Sequence, residues 1–234
     1  MPESLTQNEK IRLFREKIIK WYKEEGDRDL PWRNTGSGWA VLVASFLLRK
    51  TTVAQVLKVY DAFLKKFPGP NDLLAASEEK IKEIIKPLGI EHQRARQLKE
   101  LAQTLSQKYG GKVPCAEDEL KKLPGVGDYI AAEVLLSACS QPKPLLDRNM
   151  IRVVQRVFGI KSTKRRPHTD TELWRFAEKL VPTSPEDAKN FNFGVLDFAR
   201  KICTARNPKC TACFLKEVCN YYSELKNKHN IKFS

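Results

Sequence analysis

Leu123-Pro124-Gly125-Val126-Gly127 is a forced break in a chain that otherwise reads as helix. Proline and glycine are poor helix-interior residues, so the runs on either side must be separate helices joined by a tight turn. Those runs are Glu117 to Lys122 and Asp128 to Cys139. Glycine accepts positive φ and lets another group approach the backbone closely. The second helix begins with unsatisfied N–H groups and the positive end of a dipole, a combination that favours an anion such as phosphate. Taken alone, the stretch fits a plain turn between packed helices as well as it fits a phosphate-binding hairpin. Beyond it, a proline-rich break (Gln141-Pro142-Lys143-Pro144) leads to Asp147, and a new helix is expected from Asn149 to Phe158.

A chain of 234 residues makes one large domain or two small ones. Its 42 Lys and Arg against 28 Asp and Glu leave a net charge of +14. Such an excess favours a polyanionic partner, because each neutralised phosphate releases a counterion. The abundance of lysine and glutamate also suits the solvated surface of a thermophile protein. No apolar run is long enough to span a bilayer, and Met1 to Lys10 is polar, so an intracellular protein is expected. Six cysteines in a reducing compartment point to metal or cluster binding before disulfides.

Helical periodicity dominates the rest. Ile11 to Glu25 places Ile11, Phe14, Ile18, Trp21 and Tyr22 at helical spacing, and Gly26 stops it. Leu30-Pro31-Trp32-Arg33 is an extended link. Trp39 to Leu48 is strongly apolar, and Thr51 to Phe67 continues as a second helix before Pro68-Gly69-Pro70. Further helices are expected over Asp72 to Ala76, Ser77 to Ile85 with Ser77 as cap, Glu91 to Tyr109, Thr171 to Leu180 and Asn190 to Thr204. Lys161 to Thr169 reads as a basic solvated loop, and the tail after Tyr222 as frayed. Alternating strand patterns are nearly absent, so the class is all-α.

Cys203, Cys210, Cys213 and Cys219 have the spacing C-x6-C-x2-C-x5-C. Four thiolates suit a tetrahedral zinc or an iron–sulfur cube, and ligand chemistry alone does not choose between them. Cys115 and Cys139 are left over and read as buried or semi-buried free thiols.

The hairpin, the aspartate that follows it and this cysteine spacing at the end of an all-α chain together resemble the helix-hairpin-helix DNA glycosylases of the MutY and endonuclease III group. The resemblance takes in Trp21-Tyr22, Leu30-Pro31-Trp32-Arg33, Leu88-Gly89 with Arg94-Ala95 and Leu98, Asp147 and Asn149 before Arg152-Val153, Phe191-Asn192, and Asp197-Phe198. It implies a two-domain fold, with a helical barrel domain over residues 30–140, a cluster domain from residues 1–29 and 141–225, and a tail at 226–234. It implies a [4Fe–4S] cluster on Cys203, Cys210, Cys213 and Cys219 that ties down a basic loop with Lys201, Arg206, Lys209 and Lys216. It also implies a monomer that acts on double-stranded DNA with a mismatched or damaged base, flipped out of the stack.

The same resemblance assigns roles. Asp147 stabilises a cationic sugar or activates a water, and Tyr129 and Asn149 line the base pocket. Leu123, Gly125, Val126 and Gly127 hold a backbone phosphate. Arg49, Lys50 and Thr51 fill the gap and meet the orphan guanine, with Leu88 a further DNA contact. The endonuclease III branch has a catalytic lysine where this chain has Tyr129. Without that amine no Schiff base forms, and a monofunctional enzyme is implied. MutY proper removes adenine opposite oxidised guanine. It has a glutamine pair where this chain has Arg49-Lys50-Thr51-Thr52, and it continues into a long C-terminal domain. Both differences resemble instead the Mig-type glycosylases, which remove thymine or uracil mispaired with guanine.

One departure bears on the chemistry. Both subgroups place a glutamate four residues ahead of the wedge, and here that position is Ser45. Adenine leaves readily only when protonated, whereas thymine and uracil can leave as hydrogen-bonded anions, so Ser45 favours a pyrimidine substrate. Glu133 lies one turn beyond Tyr129, where relatives carry a small residue. Two readings of it stand: a displaced acid, or a solvent-facing glutamate opposite Ile130, Val134 and Ala138. Beside the pyrimidine enzyme stand two alternatives, a MutY-like adenine glycosylase and a lesion-binding protein weakened by Ser45.

Overall fold

The computed structural model describes residues 5–230, with side chains as far as residue 227. Residues 1–4 and 231–234, the outer ends of the expected terminal segments 1–29 and 226–234, lie outside the described residues. Among the described residues there is no strand. The helices are α1 (Gln7–Glu25), α2 (Gly38–Leu47), α3 (Val53–Leu57), α4 (Tyr60–Lys66), α5 (Pro70–Ala75), α6 (Glu78–Ile85), α7 (Glu91–Tyr109), α8 (Glu117–Lys121), α9 (Asp128–Ala138), α10 (Arg148–Phe158), α11 (Thr171–Leu180), α12 (Pro185–Lys201) and α13 (Asn220–Asn230). The chain divides into two compact units, residues 29–141 and residues 1–28 with 142–234. None of the described helices is long and apolar enough to cross a membrane.

The middle unit is organised on α2. Every residue of α2 from Trp39 to Leu47 is buried. A helix that is apolar on all sides needs neighbours on all sides. It finds them in α9, buried from Ile130 to Ser137, and in the Leu98, Leu101 and Leu105 face of α7. Polar atoms inside this core are satisfied: Trp39 donates to the Phe67 carbonyl at 3.0 Å, and Tyr60 donates to that of Ala40 at 3.1 Å. The helix expected over Thr51 to Phe67 is in fact two, α3 and α4. Thr52 and Gln55 form a reciprocal capping box that starts α3 afresh, and Val59 leaves helical geometry at φ −122°.

Cys115 and Cys139, expected to be free thiols, are joined in a disulfide with Cα atoms 5.7 Å apart. The expectation gave the reducing compartment too much weight. Intracellular proteins of hyperthermophiles are the exception to that rule. The pairing is also invisible in the spacing, because it depends on α8 and α9 folding back at the hairpin. Cys139 caps the end of α9 and Cys115 precedes α8. The bond thus closes the segment that holds α8, the hairpin and α9.

In the terminal unit α1 packs lengthwise on α12. Gly194 lets the two helices touch: a Cβ there would lie 2.8 Å from Ile18 Cγ2 and 3.0 Å from Tyr22 Cβ. Phe14 sits edge-on to Phe158 and Phe191, and Trp21 to Phe198. α12 starts at Pro185, ahead of the expected Asn190. The signals are Ser184 as N-cap and Pro185 in the first turn, where its missing N–H is no loss. The tail expected to fray after Tyr222 is instead helical to Asn230, as α13.

Replacing Cys115 and Cys139 together by serine is expected to cost about 3 kcal/mol, the usual worth of a cross-link over a loop of this size. A shift of the denaturation midpoint, matched by adding reductant to the unaltered protein, measures it. An unchanged midpoint counts against a stabilising bond.

Candidate active site and cluster loop

The hairpin between α8 and α9 has the shape its sequence requires. Gly125 adopts φ +74°, and a Cβ there would sit 3.1 Å from the Phe46 ring. Gly127 is the N-cap of α9 with open space on its Cα and no side-chain cap. A helix start with no side-chain cap is an arrangement that favours an anion. Asp128, the one acid in that turn, is drawn aside by Lys121 at 2.7 Å. Leu123 and Val126, expected among the DNA contacts, turn their side chains into the core at 2% and 6% exposure. What they offer DNA is backbone alone, and their side chains anchor the turn.

The turn after α2 is tied to this hairpin. The Arg49 guanidinium donates to the Gly125 carbonyl and lies 3.9 Å over the Phe46 ring. Burial, then the like charge of Arg94, lowers its pKa. Lys50 is exposed at φ +56°, and Thr51 donates to the Leu47 carbonyl. Leu88 is buried, so its side chain packs the core and does not reach outward. Nearby Ile90 does: it is 50% exposed and left-handed at φ +47°. Sequence reading missed Ile90, because a β-branched residue is a poor guess for that conformation; an isoleucine between Gly89 and a charged run was the available signal.

Ser45 and Glu133 come together. Ser45 Oγ lies 2.8 Å from Glu133 Oε2, and both side chains are buried at 6% exposure. The solvent-facing reading of Glu133 is thereby excluded. The phenol pKa of Tyr60, on α4, is raised first by burial and then by the charge of Asp61. Tyr129, one turn earlier on α9, is half-buried.

In the terminal unit Asp147 is the N-cap of α10. Its Oδ1 accepts from the backbone N–H of Asn149 and of Met150, each at 2.8 Å, and its Oδ2 accepts from Asn149 Nδ2 at 2.7 Å. Burial raises its pKa, and these hydrogen bonds and Arg152 partly oppose the rise. Buried Asn192 fixes the approach to this cap, accepting from Leu145 N at 2.7 Å and donating to the Lys143 carbonyl at 3.1 Å. Arg152 donates to Asn149 Oδ1, to the Cys203 carbonyl and to the Ala199 carbonyl. One guanidinium thus links the aspartate's partner to the start of the cysteine loop.

Cys203, Cys210, Cys213 and Cys219 line one pocket with Arg156, Leu215 and Tyr221. Among the described residues no group of three His, Cys, Asp or Glu closes on a single metal ion. Four cysteines lining one pocket fit a cube, which takes one thiolate on each of its four irons. Burial and neighbouring thiols raise Cys213 to about 11, and burial raises Cys210 and Cys219. Such a set needs a cationic centre to hold it deprotonated. Donors already point at sulfur: Arg156 Nη1 lies 3.4 Å from Cys203 Sγ, and Leu215 N lies 3.4 Å from Cys213 Sγ. Of the basic residues expected to face phosphate, Arg206, Lys209 and Lys216 are exposed. Lys201 is instead paired with Asp27 at 2.6 Å. Anaerobically purified protein is expected to be brown and to hold about four irons per chain. Zinc without iron refutes that.

The family model for the HhH-GPD superfamily base excision DNA repair protein matches residues 43–179, and that for the iron-sulfur binding domain of endonuclease III matches residues 203–219. A thymine-DNA glycosylase of Aeropyrum pernix is 58% identical over 214 residues, covering 92% of this chain and 96% of its own. A thymine/uracil-DNA glycosylase of Pyrobaculum aerophilum is 63% identical over 212 residues, covering 90% of this chain and 92% of its own. The solved structure of a thermostable thymine-DNA glycosylase superposes with a TM-score of 0.87 at 37% identity, over 93% of this chain and 98% of that one. With the hairpin, the capped aspartate and the cysteine loop all in place, the chain belongs to the HhH-GPD superfamily of base excision DNA repair proteins and carries the iron–sulfur binding domain of the endonuclease III branch.

Proposed function

We propose that this protein is a monofunctional DNA glycosylase that hydrolyses the N-glycosidic bond of thymine or uracil mispaired with guanine. The observation that carries the reading is Asp147, a half-buried carboxylate whose two oxygens are both oriented by α10 and Asn149. A charge held in place by fixed dipoles needs no reorganisation when positive charge develops on a sugar. The names borne by the relatives from Aeropyrum pernix and Pyrobaculum aerophilum support the choice of base.

The roles follow from the chemistry of each group. Backbone N–H groups at Gly127 and the start of α9 take a phosphate, and the exposed Lys50 and Ile90 serve a duplex whose target nucleotide has been extruded. A mispair lowers the cost of that extrusion, which favours mismatched over matched DNA. Asp147 stabilises the cationic sugar while water adds to C1′. Cys203, Cys210, Cys213 and Cys219 would hold the [4Fe–4S] cluster, which would cross-link and stiffen their loop. The protein acts as a monomer on this reading.

Asp147→Asn is expected to reduce single-turnover base release by about 10³-fold or more while duplex affinity stays within about twofold, since the amide keeps the size but not the charge. Turnover near that of the unaltered protein refutes the assignment. Because Asp147 must be ionised, and burial raises its pKa, the rate should fall with decreasing pH from a point above that of an ordinary aspartate. Borohydride should trap almost no protein–DNA adduct, because Tyr129 has no amine, and Tyr129→Lys should increase trapping. Efficient trapping by the unaltered protein contradicts monofunctional chemistry, and adenine as the preferred base moves the reading to the MutY side.

A further inference from the structure

Ser45 has one hydroxyl proton and two acceptors within reach. Its Oγ lies 2.8 Å from Glu133 Oε2 and 2.9 Å from the Val41 carbonyl. A backbone carbonyl only accepts, and an ionised carboxylate only accepts. Shared between two acceptors, that one proton makes two weak half-bonds; both contacts are full hydrogen bonds at once when Glu133 keeps its proton. Ser45 then donates to Val41, the usual bond of a serine inside a helix, and Glu133 donates to Ser45. Burial works in the same direction, because it disfavours the charged form of a carboxyl group.

The surroundings fit a proton kept in reserve. Tyr60 on α4 donates its own proton away, to the Ala40 carbonyl. Arg94 on α7, the buried cation of this unit, has its guanidinium engaged by the carbonyls of Gly89, Phe46, Leu47 and Arg49. Lys121 on α8 is engaged by Asp128. Tyr129, one turn earlier on the same face of α9, is half-buried.

We propose that Glu133, braced by Ser45, is the acid that protonates the departing base. The proposal rests on the glycosylase reading and names the group that serves its leaving group. The C1′–N bond of the nucleotide breaks and its electron pair goes to the base. The Glu133 proton neutralises the base, a water oxygen bonds to C1′, and the proton released from that water restores Glu133 through solvent. The carboxyl that reaches Ser45 of α2 comes from α9, the helix packed against it.

The test is single-turnover release of uracil and thymine from duplexes with one mispair, across a pH series. Glu133→Gln is expected to slow release about a hundredfold with duplex affinity unchanged, and to remove the fall in rate at high pH that ionisation of the acid causes. Moving the carboxyl back, as Ser45→Glu with Glu133→Ala, should recover release to within about tenfold of the unaltered protein. A loss in Glu133→Gln of about tenfold or less, or a high-pH fall that survives in it, overturns the proposal. Infrared spectroscopy of the unaltered protein decides the matter even if that variant does not fold. A protonated-carboxyl stretch from a buried glutamate near neutral pH supports the proposal, and its absence overturns it. If the unaltered protein releases neither base from any duplex, it is the glycosylase reading that fails, and the infrared band still reports on Glu133.

Discussion

The Arg94 guanidinium is buried at 4% exposure and holds the end of α2 in place. A cation so placed is tolerable only when its donors are met, and here they are met by the carbonyls of Gly89, Phe46, Leu47 and Arg49. Two of them, Phe46 and Leu47, are the last carbonyls of α2, at the negative end of its dipole, and the other two lie in the turns after α2 and before α7. One side chain therefore ends α2, fixes the turn that presents Arg49 and Lys50, and pins the Gly89–Ile90 turn beside it. Loss of the guanidinium would take a donor from all four acceptors at once, so both turns depend on it.

The terminal unit repeats the device with different residues. Arg152 meets the Ala199 and Cys203 carbonyls at the end of α12 and holds Asn149, which in turn holds Asp147. Arg156, one turn further along α10, meets the Thr204 and Ala205 carbonyls and the sulfur of Cys203. The carboxylate and the cysteine loop are thus two ends of one hydrogen-bonded assembly. A structural cluster explains this economy: whatever rigidity the loop gains from its metal passes through two guanidinium groups to the start of α10, where the charge must not wander.

What the sequence revealed follows from the range of the forces involved. α7 and α11 were read to the residue, because apolar spacing and cap residues are local. The hairpin, Asp147 and the four cysteines were visible because their chemistry demands rare residues at fixed spacing. Most of the failures are long-range or conformational. The Cys115–Cys139 bond needs two helices folded back on each other. The burial of Leu88, Leu123 and Val126 needs the core against which they pack. The start of α12 was local and was missed, although Ser184-Pro185 carried the signal. Lys201 looked like a phosphate ligand only because its partner Asp27 is distant in sequence.

The net charge of +14 and the hairpin geometry answer different questions. Excess charge draws a polyanion from a distance and fades with salt, whereas N–H groups at a helix start act only on a phosphate already in contact. A hairpin that moved would give back as entropy part of what each hydrogen bond gained. Four features limit that motion: φ +74° at a glycine, two buried aliphatic anchors, the Arg49–Gly125 bond, and a disulfide closing the segment on itself. None of them touches a base edge. They hold the hairpin backbone in one conformation, while Glu133 and Ser45, buried on the facing helices α9 and α2, are tied to each other by a hydrogen bond.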